Sequence, residues 1–138
     1  MKITADTNVL VSATFWYGDS NEIIERVERR EIELVLSKEI IDEFARVLQY
    51  DEIQEKIRNK NLEMKRTVEK IVSLSTLTEP IERLDVVKED ADDNKILECA
   101  KAGKVDFIVS NDNHLLKLKE FEGIQILSSH EFLKIIKK

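Results

Sequence analysis

Met1-Lys2-Ile3-Thr4-Ala5-Asp6-Thr7-Asn8 opens the chain with a short apolar run that delivers a carboxylate at its end. Ile3 to Ala5 reads as a buried strand, which puts Asp6 at the carboxyl edge of a sheet. Three further acids stand at comparable strand or helix edges: Glu43 in Ile40-Ile41-Asp42-Glu43-Phe44, Asp93 in Asp90-Ala91-Asp92-Asp93-Asn94, and Asp112 in Val109-Ser110-Asn111-Asp112. Carboxylates gathered in a dry crevice repel one another unless a cation lies among them, so the pattern predicts metal-ion chemistry. It also predicts a metal-free state destabilised by its own site, one that loss of the Asp6 charge would relieve.

Working outward, a loop carrying Phe15-Trp16-Tyr17-Gly18 is expected after the first strand, then a helix capped by Ser20 with Ile23, Ile24 and Val27 inward. Glu33 to Leu36 reads as a second strand. Ser37 can cap the next helix, whose apolar stripe is Ile40, Ile41, Phe44, Val47 and Leu48. A helical pattern from Glu52 to Val72 breaks at Asn59-Lys60-Asn61, and Val72 to Leu77 reads as a third strand. Pro80 to Glu89 fits no element. A helix with Ile96, Leu97 and Ala100 inward then ends at a Gly103 cap, followed by strands at Phe107–Val109 and Ile124–Leu127 and a last helix carrying Phe132, Leu133 and Ile136. Strands alternating with helices predict an α/β fold with a parallel sheet covered on both faces, whose crevice lies beyond the carboxyl ends of the strands.

Helical phase sorts the acids. Glu43 lies on or beside the stripe of Ile40 and Val47, whereas Asp42 falls with Lys38 and Arg46 on the wet face. Asp93 shares a face with Ile96 and Ala100, and Asp90 and Asp92 are placed to cap that helix. Each acid has a plain alternative: a cap for Asp6, a marginal salt bridge for Glu43, a helix cap for Asp93 as for Asp90 and Asp92, and a turn for Asp112. Their prediction for one edge of one sheet favours a shared site. His114 is expected as a surface or turn histidine rather than a ligand.

Composition bounds the rest. At 138 residues, with 42% hydrophobic and 36% charged residues, the chain reads as one domain spanning 1–138 with material for a core beneath a charged surface. The short apolar runs predict neither a transmembrane span nor a signal peptide. Cys99, the single cysteine, falls among Leu97, Ala100 and Ala102 and is expected to pack as a small hydrophobe; a cytoplasmic location is the simplest expectation. A net charge of −6 argues against coating nucleic acid by phosphate neutralisation, though not against a nuclease whose charges are offset by bound cations.

In order and spacing these motifs resemble those of PIN domains, small Mg²⁺- or Mn²⁺-dependent ribonucleases that include the toxins of many prokaryotic toxin–antitoxin pairs. Asp6-Thr7-Asn8-Val9-Leu10-Val11-Ser12-Ala13 is similar to the family's opening and Glu39-Ile40-Ile41-Asp42-Glu43-Phe44 to its second motif. Asp90 to Ala100 and Asp106 to Asp112 resemble the third and fourth. The resemblance implies a three-layer α/β/α fold around a central parallel sheet of about five strands. It implies Asp6, Glu43, Asp93 and Asp112 as catalytic and metal-binding acids, Asn8 and Ser110 as accessory polar groups, and Mg²⁺ or Mn²⁺ as cofactor. Expected partners are an RNA substrate and an antitoxin protein, with the chain as a homodimer away from membranes. Two departures stand out: Ser110 where Thr is common, and His114 where many relatives carry another Asp.

The expected reaction is hydrolysis of an RNA phosphodiester by water that the ions activate. Phe15-Trp16-Tyr17 is read either as a stacking surface for bases or as a core anchor. A haloacid-dehalogenase-like site would need an Asp where Asn8 stands, and a receiver domain a phospho-acceptor Asp after a middle strand, which Leu36-Ser37 does not supply. The alternative is a PIN-fold RNA- or protein-binding module without turnover.

Overall fold

Five strands run parallel at the centre of the protein, and a sixth closes one edge in the opposite sense. The computed structural model describes residues 1–16, 18–59 and 63–137. Along the chain lie β1 (Lys2–Ala5), α1 (Thr7–Phe15), α2 (Asp19–Glu28), β2 (Glu33–Ser37), α3 (Lys38–Val47), α4 (Asp51–Asn59) and α5 (Met64–Leu74). Then follow β3 (Ser75–Thr78), α6 (Asp93–Gly103), β4 (Phe107–Val109), α7 (Asn113–Leu116), β5 (Glu120–Phe121), β6 (Ile124–Leu127) and α8 (Ser129–Ile136). The sheet order is β3-β2-β1-β4-β6-β5, with only β5 antiparallel, so the architecture is the expected three-layer α/β/α with one short edge strand added.

The centre of the sheet is its driest part. Ile3, Leu34 and Ile108 on β1, β2 and β4 expose no surface, because helices cover both faces of a parallel sheet and every strand side chain must be apolar or paired. Ile3 aligns with Leu34 on one side and with Phe107 on the other, which brings the carboxyl ends of β1 and β4 to one edge. Cys99 is buried as expected, its thiol pushed up to about 11 by burial.

Several boundaries differ from the sequence expectation, each for a physical reason. Thr7–Phe15 is a helix rather than a loop: it is apolar on nearly every side, with Val9, Leu10, Val11, Ala13 and Phe15 all buried, so it carries no amphipathic period. Tyr17 lies outside the described residues, as do Lys60 and Asn61 of the predicted helix break. Ser20 is no cap; α2 begins at Asp19, and the Ser20 hydroxyl is buried 2.9 Å from Ser129 Oγ. Ser37 does cap α3, its hydroxyl accepting from Ile40 N. The third strand starts at Ser75, leaving Val72 inside α5.

The α6 cap also moves by one residue. Lys104, not Gly103, takes the left-handed conformation with φ 51°, and Gly103 is required for space, since a Cβ there would stand 2.6 Å from Val35 Cγ1. Among the described residues no helix is long and apolar enough to cross a membrane.

Candidate metal centre

Each acid is delivered by a different local device. Asp6 ends β1 and caps α1, its Oδ1 accepting from Val9 N at 2.9 Å. Its Oδ2 accepts from Ser110 Oγ, and that hydroxyl also accepts from Asp112 N at 3.0 Å, so one serine ties the ends of β1 and β4 together. Asp112 caps α7 in the same manner, its Oδ1 accepting from His114 N at 2.7 Å and from Leu115 N at 3.3 Å. The cap and turn readings of Asp6 and Asp112 are therefore true as far as they go. Glu43 projects from the middle of α3, half-buried at the margin of the stripe that buries Ile40 and Phe44.

Asp93 is the first residue of α6, and it is positioned by the segment no sequence pattern could assign. Residues 79–92 contain no helix or strand, and side chains of α6 hold them in place. Asn94 Oδ1 accepts from Val86 N and Val87 N at 2.9 and 2.8 Å, and its Nδ2 donates to Val87 O at 2.9 Å. Buried Glu98 accepts from Leu84 N at 2.8 Å and pairs with Arg83 at 3.1 Å. This lacing satisfies a stretch of backbone that has no ladder of its own, and it fixes Asp90 to Asp93 against the sheet edge. Asp92 sits at the cap position but makes no capping bond; it pairs with Lys95 at 3.0 Å instead.

The structure brings Asp6, Asn8, Glu43, Asp93 and Asp112 to one small polar cleft of about 60 Å³, bordered also by Thr7, Asp90, Asp92 and Ile96. Ser110 stands behind it, fully buried. That volume suits ions and water rather than a nucleotide, which needs several hundred Å³. Within the cleft a tighter group forms: Asp90, Asp93, Asp112 and His114 offer ligand atoms that all lie within 4.8 Å of one another, with Asp6 and Glu43 on the border outside it. His114 and Asp90 were not expected in this role. The signal lay in Asp112-Asn113-His114, since an acid that caps a helix carries the residue two positions on in its first turn, beside the cap.

The electrostatics follow from burial. Desolvation raises the Asp6 carboxyl to about 6 even though Ser110 and Val9 N both favour its charged form. Burial raises Asp93 as well, helped by the charges of Asp112 and Asp90, and burial lifts Glu43 with the nearby Thr7 hydroxyl opposing. Asp93 Oδ2 and His114 Nδ1 are buried atoms with no hydrogen-bond partner among the described residues. Unpaired ligand atoms in a carboxylate cleft are what a divalent cation would satisfy, so the donor set fits a metal ion.

A model of the PIN domain matches residues 2–114, which takes in every acid of the cleft and His114. No curated protein matches the chain. PIN domains are in general nucleases that work with divalent metals. With most of its length matched and its acids converging at one sheet edge, this protein belongs to the PIN domain family.

Proposed function

We propose that the protein is a Mg²⁺- or Mn²⁺-dependent ribonuclease that hydrolyses phosphodiester bonds in single-stranded RNA, acting as the toxin of a toxin–antitoxin pair. The observation that carries the reading is the buried, unpaired Oδ2 of Asp93 in a cleft where four acids from separate segments meet. Asp6, Glu43, Asp93 and Asp112 would hold the ions, which when bound supply acidified water and positive charge against the scissile phosphate. Ser110 fixes both Asp6 and the turn of Asp112, so the spacing of two ligands is set by one buried hydroxyl. Ile96 closes the inner wall and keeps the charges poorly screened.

Beyond Asn8 and Glu43 the cleft opens into a groove of about 480 Å³ lined by Val11, Ser12, Trp16, Val47, Tyr50, Glu52 and Ile53. Phe15 is buried as a core anchor, while Trp16 and Tyr50 are 47% and 52% exposed, and Lys56 Nζ lies 4.6 Å from the Trp16 ring centre. A chain with net charge −6 cannot hold RNA by a broad basic face, so the grip must be local, and exposed aromatics with a cation supply one.

Labelled single-stranded RNA incubated with Mn²⁺ or Mg²⁺, against a chelator control, tests the reading. Cleavage that requires metal and is lost in Asp112→Asn is the expected result, with Trp16→Ala weakening RNA binding by about tenfold for one lost stacking contact. RNA binding without metal-dependent cleavage would replace it with a non-catalytic module. Growth arrest on expression, relieved by the product of an adjacent small gene, tests the toxin assignment.

A further inference from the structure

We propose that His114 is a direct metal ligand, and that its imidazole turns the site toward Mn²⁺ and related first-row ions and away from Mg²⁺. The proposal rests on the metal-dependent reading above and deepens it.

The geometry fits a shared ion. His114 Nδ1 lies 3.7 Å from Asp112 Oδ1 and 4.0 Å from Asp93 Oδ2, both beyond hydrogen-bonding reach. Ligand atoms bound to one ion at about 2.0–2.2 Å stand roughly 3 to 4.4 Å from one another, which is the separation found here. The ring is placed by its own backbone: Asp112 Oδ1 accepts from His114 N at 2.7 Å, so the cap that orients the acid also carries the imidazole to it. The ring is 41% exposed, yet Nδ1 itself is buried and has no hydrogen-bond partner among the described residues. Opposite stands Asp93, 7% exposed, with an unpaired oxygen. A protonated ring could pair with both carboxylates at these same distances, and binding of a cation is what separates the two arrangements.

The chemistry then sets selectivity. Mg²⁺ binds hard oxygen ligands and gives up its waters reluctantly, whereas affinity for an imidazole rises along the first-row transition series. A nitrogen in place of a fourth carboxylate removes one negative charge from the shell and adds a donor that Mg²⁺ uses poorly. Both changes disfavour Mg²⁺ relative to Mn²⁺.

Binding of Mn²⁺ and of Mg²⁺, each alone, is measured by calorimetry on the wild type, His114→Ala, His114→Asp and the control His130→Ala, which alters the other histidine. Mn²⁺-bound samples are also read by pulsed electron paramagnetic resonance for ¹⁴N coupling. The expected outcome is ¹⁴N coupling in wild type and His130→Ala that vanishes in His114→Ala. A fall of about tenfold or more in Mn²⁺ affinity should accompany it, and in His114→Asp the ratio of Mn²⁺ to Mg²⁺ affinity should shrink. Melts in chelator verify that each variant folds. Coupling that is absent from the wild type or survives in His114→Ala, or an unchanged affinity ratio in both His114 variants, overturns the proposal while leaving the metal-dependent reading intact. Failure of the wild type to bind either ion overturns both.

Discussion

Asp6 and Asp93 line the same cleft and are almost equally buried, at 5% and 7% exposure, but their carboxylates are finished differently. Both oxygens of Asp6 are occupied, one by Val9 N and one by the Ser110 hydroxyl. Asp93 has an oxygen with no hydrogen-bond partner among the described residues and lies against Asp90, Asp112 and His114. One half of the cleft thus has its hydrogen bonding completed by the fold, and the other, among the described residues, does not. Burial of an acid alone does not mark a ligand; a buried acid whose hydrogen bonding is incomplete does.

The sharpest way to break this contrast is to neutralise each acid in turn. Asp93→Asn should lower RNA cleavage by about 10²–10³, the scale of losing one preorganised charge-stabilising group. In chelator it should also raise the melting temperature, because it removes repulsion and surrenders no hydrogen bond of Oδ2. Asp6→Ala should lose cleavage too, but its melting temperature in chelator should rise by less, because relief of the buried charge is offset by a lost cap worth about 1 kcal/mol. The relief from neutralising Asp6 should therefore be smaller than that from Asp93, since Asp6 also serves as a cap whether or not metal is bound. Equal shifts of the same sign in the two melts would erase the distinction between the halves.

How much of this was legible beforehand depended on which physics fixed each part. β4 read at once because Phe107-Ile108-Val109 is a continuous apolar run with Ile108 and Val109 buried, and Asp93 read from its phase with Ile96 and Ala100. α1 was hidden by its uniform burial, since periodicity needs a wet face to contrast with. The 79–92 segment was hidden for the opposite reason: its conformation is held mainly by Asn94 and Glu98, residues beyond its own end, with only such local bonds as Asp92 N to Asp90 Oδ1 inside it. The grouping of His114 with Asp93 was hidden because its neighbours were judged along the chain, whereas Asp93 arrives from another helix. The site was legible as a list of acids; the division of labour among them was not.

A second test uses protons as stand-ins for a cation. Asp6 titrates in the folded state at about 6 against an ordinary 3.8, and Asp93 is raised in the same direction. A carboxyl raised on folding adds stability that is complete below its unfolded value and is lost as pH climbs through its folded one. The metal-free protein should therefore be more stable at pH 5 than at pH 7.5, by about 1.4 kcal/mol from Asp6 alone. The window avoids the carboxylates that act oppositely, because Glu22, Glu89 and Glu131 are lowered by their partners and destabilise the fold only under more acid conditions. Saturating Mn²⁺ should flatten or reverse the trend, since the ion binds the ionised acids of the folded state. Chelator melts from pH 5 to 7.5 whose midpoints are flat or rise would remove the strain that the cleft is argued to carry.

The smallest expected effect separates neighbours one residue apart. Asp92 borders the cleft and its charge helps raise Glu43, so proximity alone would make it a fifth acid of the site. Its helical phase says otherwise: Asp93, Ile96, Leu97 and Ala100 share the buried face of α6, and Asp92 is turned away to pair with Lys95 at 3.0 Å, with 45% of its side chain exposed. A partly exposed i,i+3 pair contributes at most about 0.5 kcal/mol, and the helix loses no cap because Asp92 makes no capping bond. Asp92→Asn should therefore leave the melting temperature nearly unchanged and cleavage within about threefold of wild type, well inside the loss set by removal of a true charge-stabilising group. Run beside Asp93→Asn under identical metal, this comparison tests orientation rather than charge, because the two substitutions remove the same formal charge from adjacent positions. Should Asp92→Asn prove the more damaging, the unpaired oxygen of Asp93 would no longer mark the working half of the cleft, and the ligand set would have to be redrawn around the rim of Asp92 and Glu43.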